Sequence, residues 1–155
     1  MNYRKFGTLD LNVSALGFGA MRFPQKNDVI EEKESTQMLH HAIDHGVNYI
    51  DTAWPYHNEK SEEFLGKILT PEHQGKVKLA TKLPCWLVEK QNDCDTYLNQ
   101  QLKRLKTDHI DFYLLHGIFS TRWEQILSLD ILEWAEKAID DGRISYLGFS
   151  FHGTY

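Results

Sequence analysis

Residues 46–56 read Gly46-Val47-Asn48-Tyr49-Ile50-Asp51-Thr52-Ala53-Trp54-Pro55-Tyr56. A helix stop at Gly46 leads into Val47 to Ile50, three of whose four residues are β-branched or aromatic, and then into an acid, Asp51. That pattern reads as a buried strand ending in a carboxylate. Pro55 cannot continue the strand and sets a turn, so Tyr56 returns close to the carboxylate. An acid at a strand end and a phenol on the following loop can carry proton chemistry. As an isolated pair they read more readily as a helix cap and half-buried packing.

Working outward, the same unit recurs on both sides. Residues 3–6 and 11–16 flank Gly7-Thr8-Leu9-Asp10 as a small hairpin, and Ala15 to Met21 forms a short apolar strand whose Gly17 and Gly19 permit close approach to the backbone. Glu32 to His45 is an amphipathic helix with Met38, Leu39, Ala42 and Ile43 on its inner face. Downstream, Ser61 is the expected N-cap of a second helix. Glu62 and Glu63 complement its dipole, Phe64, Leu65, Ile68 and Leu69 form its buried stripe, and Pro71 ends it. Val77 to Thr81 is a strand ending at Lys82, and a helix from about Asn92 to Leu105 follows. Ile110 to Leu115 is a strand ending at His116-Gly117. Trp123 to Asp141 reads as one helix, with Ile126, Leu127, Leu132, Ala135 and Ile139 on or near its inner face. Ile144 to Phe149 is the last strand, ending at Ser150.

The strand ends fall at Gly19, Asp51, Lys82, His116 and Ser150, separated by 31 to 34 residues by subtraction of their numbers. That is the length of one strand-loop-helix-loop unit, and successive parallel strands with right-handed crossovers curl toward a (β/α) barrel, with a doubly wound sheet as the competing arrangement. In a barrel the loops after the strands share one mouth, where Asp51, Tyr56, Lys82 and His116 would converge. Burying an acid and a lysine there is costly unless they pair, so four titratable groups at consecutive strand ends point to a functional site.

Composition bounds the alternatives. With 155 residues, 41% apolar and 12% aromatic, the chain has enough to build one core and is neither disordered nor fibrous. A net charge of -5 without a run of Lys or Arg argues against nucleic acid or an acidic membrane as partner. The N-terminus lacks the apolar core of a signal peptide and no apolar run has the length of a membrane span, so the expected location is cytoplasmic. Cys85 and Cys94 form no Cys-x-x-Cys pair and read as reduced thiols. His41 and His45 have metal-like spacing but no third ligand in view and read as surface histidines, so no metal is expected. Cys85 lies three residues after Lys82, without an activating neighbour in sequence. Trp54, Trp86 and Phe119 follow strand ends and read either as walls of an apolar pocket or as rim packing.

The residues also carry a resemblance. Gly46 to Ala53 followed by Tyr56 resembles the second-strand signature of the aldo-keto reductases. Leu105-Lys106-Thr107-Asp108-His109-Ile110-Asp111-Phe112-Tyr113-Leu114-Leu115-His116 resembles the fourth, and Gly142-Arg143-Ile144-Ser145-Tyr146-Leu147-Gly148-Phe149-Ser150 the fifth. The match runs along the whole chain. The resemblance implies a (β/α)8 TIM barrel, here cut after the fifth strand, so that residues 1–155 are the N-terminal portion of one barrel domain. It implies the family's catalytic Asp, Tyr, Lys and His at Asp51, Tyr56, Lys82 and His116. The implied activity is reduction of an aldehyde or ketone by NADP(H), with NAD(H) as the alternative. Gly19, Ala20, Met21, Asp51 and Ser150 are the cofactor contacts left in the chain, with Phe151 where many members have Asn. The Gly-Phe-Ser-Phe-His run at 148–152 further resembles a bacterial branch whose longer members carry an iron-sulfur tail, which this chain lacks.

The chemistry can be argued from the residues themselves. Carbonyl reduction needs a hydride donor on one face and a proton donor at the oxygen, and a free phenol with a pKa of about 10 is a poor acid at neutral pH. Lys82 beside Tyr56 stabilises the phenolate, Asp51 pairs with Lys82, and His116 donates a second hydrogen bond to the carbonyl oxygen. No side chain supplies hydride, so a cofactor must. Two other readings stand beside this one: a non-catalytic half-barrel that binds or assembles, and a Schiff-base lyase using Lys82. Five strands would leave Ala15–Met21 and Ile144–Phe149 as open edges, so the expected partners are a small carbonyl substrate and either a second copy of the chain or the remainder of the barrel.

Overall fold

The computed structural model describes residues 1–153. A hairpin of β1 (Tyr3–Lys5) and β2 (Asn12–Ser14) precedes β3 (Phe18–Gly19), and a second hairpin pairs β4 (Gln25–Lys26) with β5 (Val29–Ile30). Then come α1 (Glu32–Asp44), β6 (Tyr49–Asp51), α2 (Ser61–Ile68), the single turn α3 (Pro71–Gln74) and β7 (Lys78–Leu83). The chain continues through α4 (Gln91–Leu105), β8 (Ile110–Ile118), α5 (Ser120–Ser128), α6 (Ile131–Asp140) and β9 (Ile144–Phe151). Strands β3, β6, β7, β8 and β9 form one all-parallel sheet in sequence order, the arrangement expected of consecutive βα units.

The register decides which side chains share a face. Gly19 pairs with Asp51, Asp51 with Ala80, Ala80 with Phe112, and Lys82 with Leu114. Because side chains alternate along a strand, Asp51, Ala80, Lys82, Phe112, Leu114 and His116 all point to the concave side. The other face carries the apolar core, built from Leu39 and Ile43 of α1, Phe64, Leu65 and Ile68 of α2, Leu98, Leu102 and Leu105 of α4, and Trp134, Ala135 and Ala138 of α6. At the end of the concave side away from Lys82, Phe6 of the first hairpin packs on Phe112 at 5.0 Å between ring centroids. Tyr49 and Tyr146 each lie 5.2 Å from Phe112, so the floor is an aromatic cluster.

Two glycines are required by geometry. Gly46, at φ +90°, donates its N–H to Ile43 O at 2.9 Å, and Val47 N–H donates to Ala42 O at 2.9 Å. This paired closure ends α1 and turns the chain into β6. Gly66 sits where α2 meets α4, and a Cβ there would lie 2.1 Å from Arg104 O.

Several expected boundaries differ. Only Phe18–Gly19 of the expected Ala15–Met21 strand pairs; Ala20–Arg22 is a 3-10 turn, and Ala20 O instead accepts from His57 Nε2 at 3.0 Å and Ser61 Oγ at 3.3 Å. Ser61 is therefore no cap. It is the first residue of α2, with Lys60 at the cap position, and its hydroxyl also meets Thr52 Oγ1 at 2.9 Å. Pro71 opens α3 rather than ending α2, which stops at Ile68. The single helix over Trp123–Asp141 is two helices, broken at Leu129 and Asp130, whose φ is +51°. A continuous helix that buried Ile126 would also turn Asp130, Glu133 and Lys137 inward; the break resets the phase so that Ile131, Trp134, Ala135 and Ala138 are buried instead. Leu127, Ile139 and Met38 are exposed as a result of where their faces lie.

Candidate active site

Lys82 is the centre of the concave side. Its side chain is only 6% exposed, and its ammonium donates to both carboxylate oxygens of Asp51 at 2.7 and 2.8 Å and to Thr52 O at 2.7 Å. Tyr56 Oη lies 3.3 Å from the same nitrogen. A lysine this buried is tolerable only when its charge is met by an anion and its protons by acceptors, and Asp51 with Thr52 O meets both needs. The loop after β6 delivers Tyr56 through a turn closed by Tyr56 N–H to Ala53 O at 3.2 Å, and Ser61 N–H donates to Tyr56 O at 3.2 Å. The left-handed run His57, Asn58 and Glu59 then carries the chain into α2.

His116 stands edge-on to Tyr56, ring centroids 6.2 Å apart, and 5.2 Å from Trp86. Burial, then the charges of Lys82 and His152, hold its pKa down at about 4, so the imidazole is neutral at physiological pH. Its Nδ1 is buried and has no hydrogen-bond partner among the described residues. The mouth is an open cleft of about 510 Å³ lined by Met21, Arg22, Tyr56, Trp86, His116 and His152 among others.

The structure thus brings Asp51, Tyr56, Lys82 and His116 to one locus. The other candidate contacts are spread around it. Gly19 is exposed, and nothing lies within 4 Å of the position its Cβ would take. Met21 lines the cleft, whereas Ala20 is fully buried with its carbonyl already engaged by His57 and Ser61. Ser150 Oγ accepts from Gly117 N–H at 2.8 Å, tying β9 to β8 where their register shifts between Leu115 and Ile118. Of the three aromatics read as either pocket walls or rim packing, Trp86 lines the cleft. Trp54 is buried with the Arg104 guanidinium 3.6 Å over its ring, and Phe119 lies 5.4 Å from Arg122.

Burial raises the Cys85 thiol to about 11 and the Cys94 thiol to about 12, so neither is a nucleophile at neutral pH, and both are free. The rings of His41 and His45 lie 4.0 Å apart between centroids and are tilted by 34°, and His45 Nδ1 is 2.8 Å from His41 O. Among the described residues no cluster of three or more His, Cys, Asp or Glu has the disposition of a metal site, and no helix is long and apolar enough to cross a membrane.

Arg22, His57 and His152 also enter the cleft, brought there by the turn after β3, the loop after β6 and the end of β9, and no spacing rule in the sequence links them. Glu62, expected to complement the dipole of α2, does lie in its first turn, and it is only 1% exposed. The signal was present: Glu62 is three residues before Leu65 and seven before Leu69, at the edge of the buried stripe that runs along α2.

The Aldo/keto reductase family profile matches residues 15–154. The chain is 32% identical over 162 residues to the uncharacterized oxidoreductase YqkF of Bacillus subtilis, covering 97% of this chain and 49% of the relative. Aldo-keto reductase AKR11C1 from Bacillus halodurans superposes with a TM-score of 0.81 at 32% identity, over 97% of this chain and 50% of that one. An aldo-keto reductase from Klebsiella pneumoniae in complex with NADPH superposes with a TM-score of 0.77 at 28% identity, over 92% of this chain and 47% of that one. The chain spans about half the length of the relatives it matches.

Proposed function

The chain belongs to the aldo/keto reductase family, and on that premise we propose that its site reduces an aldehyde or ketone to the alcohol with hydride from NADPH, NADH being the alternative donor. The observation that carries the reading is the Lys82 ammonium, held between Asp51 at 2.7 Å and Tyr56 at 3.3 Å. Tyr56 donates its phenol proton to the carbonyl oxygen. Lys82 stabilises the charge left on the phenol oxygen, and Asp51 holds the Lys82 side chain aimed. His116, neutral, donates one N–H to the same carbonyl oxygen, which orients the substrate and spreads the negative charge that develops there. Trp86 and Met21 supply apolar contact for the remainder of the substrate.

The residues present fit the reactive end of a nicotinamide cofactor. Gly19 offers open backbone at a strand end, Met21 borders the cleft, and the Ser150 hydroxyl, whose oxygen accepts from Gly117, has no acceptor for its hydrogen among the described residues. Gly19, Met21, Asp51 and Ser150 are the proposed contacts; Ala20 contributes the turn. When bound, the nicotinamide supplies the hydride. The Klebsiella pneumoniae relative in complex with NADPH supports the choice of donor.

A Schiff base on Lys82 is disfavoured because nucleophilic attack needs a free amine lone pair, while this nitrogen donates to three carboxylate and carbonyl oxygens. The test is incubation of the full-length protein with NADPH and a panel of aldehydes and ketones. Alcohol formed in step with NADPH consumption is the expected result. A substrate adduct on Lys82 trapped by borohydride, with NADPH unconsumed, overturns the proposal.

A further inference from the structure

Glu62 is a carboxylate only 1% exposed, and burial pushes its pKa up while its hydrogen bonds to Thr81, Gln101 and Arg104 hold it down. A group so costly to bury stays in place only if its oxygens are met by donors, and here they are. Thr81 Oγ1 donates to Glu62 Oε1 at 2.6 Å, Gln101 Nε2 to the same oxygen at 2.5 Å, and Arg104 Nη1 to Oε2 at 3.2 Å. The Gln101 amide is oriented from its other end by Tyr113 Oη, which donates to Gln101 Oε1 at 2.6 Å.

This network grips both halves of the candidate site. On the strand side, Gln101 Nε2 also donates to the main-chain oxygen of Lys82 at 3.0 Å, and Thr81 is the residue before Lys82 in β7. On the loop side, Glu62 lies in the first turn of α2 beside Ser61, whose N–H holds Tyr56 O and whose hydroxyl meets Thr52 Oγ1 at 2.9 Å. Thr52 O in turn accepts from Lys82 Nζ at 2.7 Å. Arg104 reaches from α4 to lie over Trp54, two residues before Tyr56 on that loop.

We infer that the buried Glu62-Thr81-Gln101-Arg104 network sets the separation of Lys82 and Tyr56, so that Glu62, Thr81 and Gln101 are positioning residues for the proton transfer. The inference rests on the reductase reading for its kinetic consequence but not for its geometric one. Loss of one link lets β7 shift against the Tyr56 loop, and a misplacement of about 1 Å costs on the order of 100-fold in rate.

The test uses Thr81→Val, which has the same shape without the hydroxyl, Gln101→Met, and the conservative Thr81→Ser, all in the full-length protein. Crystal structures of the Val and Met variants should have the Lys82 Nζ to Tyr56 Oη separation lengthened, with Thr81→Ser unchanged. Turnover should fall about 10- to 100-fold with the carbonyl KM within about twofold, and Thr81→Ser should restore it. Ile131→Ala, a core change in α6, gives the comparison for a stability loss alone and should leave turnover intact. If Gln101→Met does not fold, Thr81→Val carries the test. An unchanged Lys82–Tyr56 separation, or a turnover loss matched by Ile131→Ala at equal stability, overturns the inference. A wild-type protein that reduces no carbonyl overturns the reductase reading alone, and the crystallographic separation then decides whether the network positions these two residues.

Discussion

The ammonium of Lys82 lies 3.3 Å from the phenol oxygen of Tyr56 while the two Asp51 carboxylate oxygens hold it at 2.7 and 2.8 Å. One ammonium is thus shared between a carboxylate and a phenol that becomes an anion only when it gives up its proton. Its charge is most useful at that moment, which is the condition for catalysis by differential stabilisation.

Lys82→Met should therefore cut turnover by about 100- to 10,000-fold and also destabilise the protein by up to about 3 kcal/mol, because Asp51 is left without its partner in a half-buried setting. Lys82→Arg keeps the charge but replaces a compact ammonium by a planar fork that cannot meet Asp51, Thr52 O and Tyr56 in the same geometry. It should keep more stability than Lys82→Met and little more activity. Denaturant unfolding alongside steady-state kinetics separates the two effects; full turnover in either variant would remove Lys82 from the mechanism.

His116 makes stability pH-dependent. Its folded-state pKa is lowered to about 4 from the ordinary 6.5, first by burial and then by Lys82 and His152. Between those values the unfolded chain takes up a proton that the folded chain refuses, so the contribution is fully present above about pH 6.5 and is lost as pH falls toward 4. Melting temperature should fall more steeply over that window for the wild type than for His116→Gln. Parallel slopes would mean that His116 does not titrate as its surroundings imply.

Gly66 and Gly142 separate two kinds of glycine requirement. A Cβ at Gly66 would meet Arg104 O at 2.1 Å and Leu105 C at 2.7 Å, both backbone atoms that cannot rotate away. Gly66→Ala should force α2 from α4 and cost about 3 kcal/mol. Gly142→Ala meets no atom within 4 Å and carries only the strain of φ +83°, about 1 kcal/mol. Equal melting temperatures for the two variants would contradict this account of helix contact.

The parallel order and the convergence of Asp51, Tyr56, Lys82 and His116 were legible because strand ends recur at a near-constant interval and side chains alternate with period two. What was not legible came from interactions at long range. The break at Asp130 depends on which faces of two helices the sheet can bury, and Trp123 to Asp141 offers no Gly or Pro to mark it. The 3-10 turn at Ala20 depends on His57 and Ser61, both more than thirty residues away. Glu62 sits on an apolar stripe, but its donors lie on β7 and α4, and no local pattern announces them.

The 155-residue chain on its own should self-associate. Strands β3 and β9 lie at the two sides of the parallel sheet, and Phe149 and Phe151 of β9 are 64% and 48% exposed. Unpaired main-chain groups beside exposed aromatic rings favour pairing with another chain. Light scattering at micromolar concentration should give a mass above the 18.1 kDa of one chain. A monodisperse monomer with a cooperative melt would contradict it.

The most direct test of the central claim is the rate of NADPH-dependent carbonyl reduction by the full-length protein before and after Tyr56→Phe, a change that removes one oxygen atom 3.3 Å from Lys82. The account predicts alcohol formation matched to NADPH consumption in the wild type, and a loss of turnover of about 100-fold or more in the variant with NADPH affinity nearly unchanged. Turnover by Tyr56→Phe close to that of the wild type would contradict it.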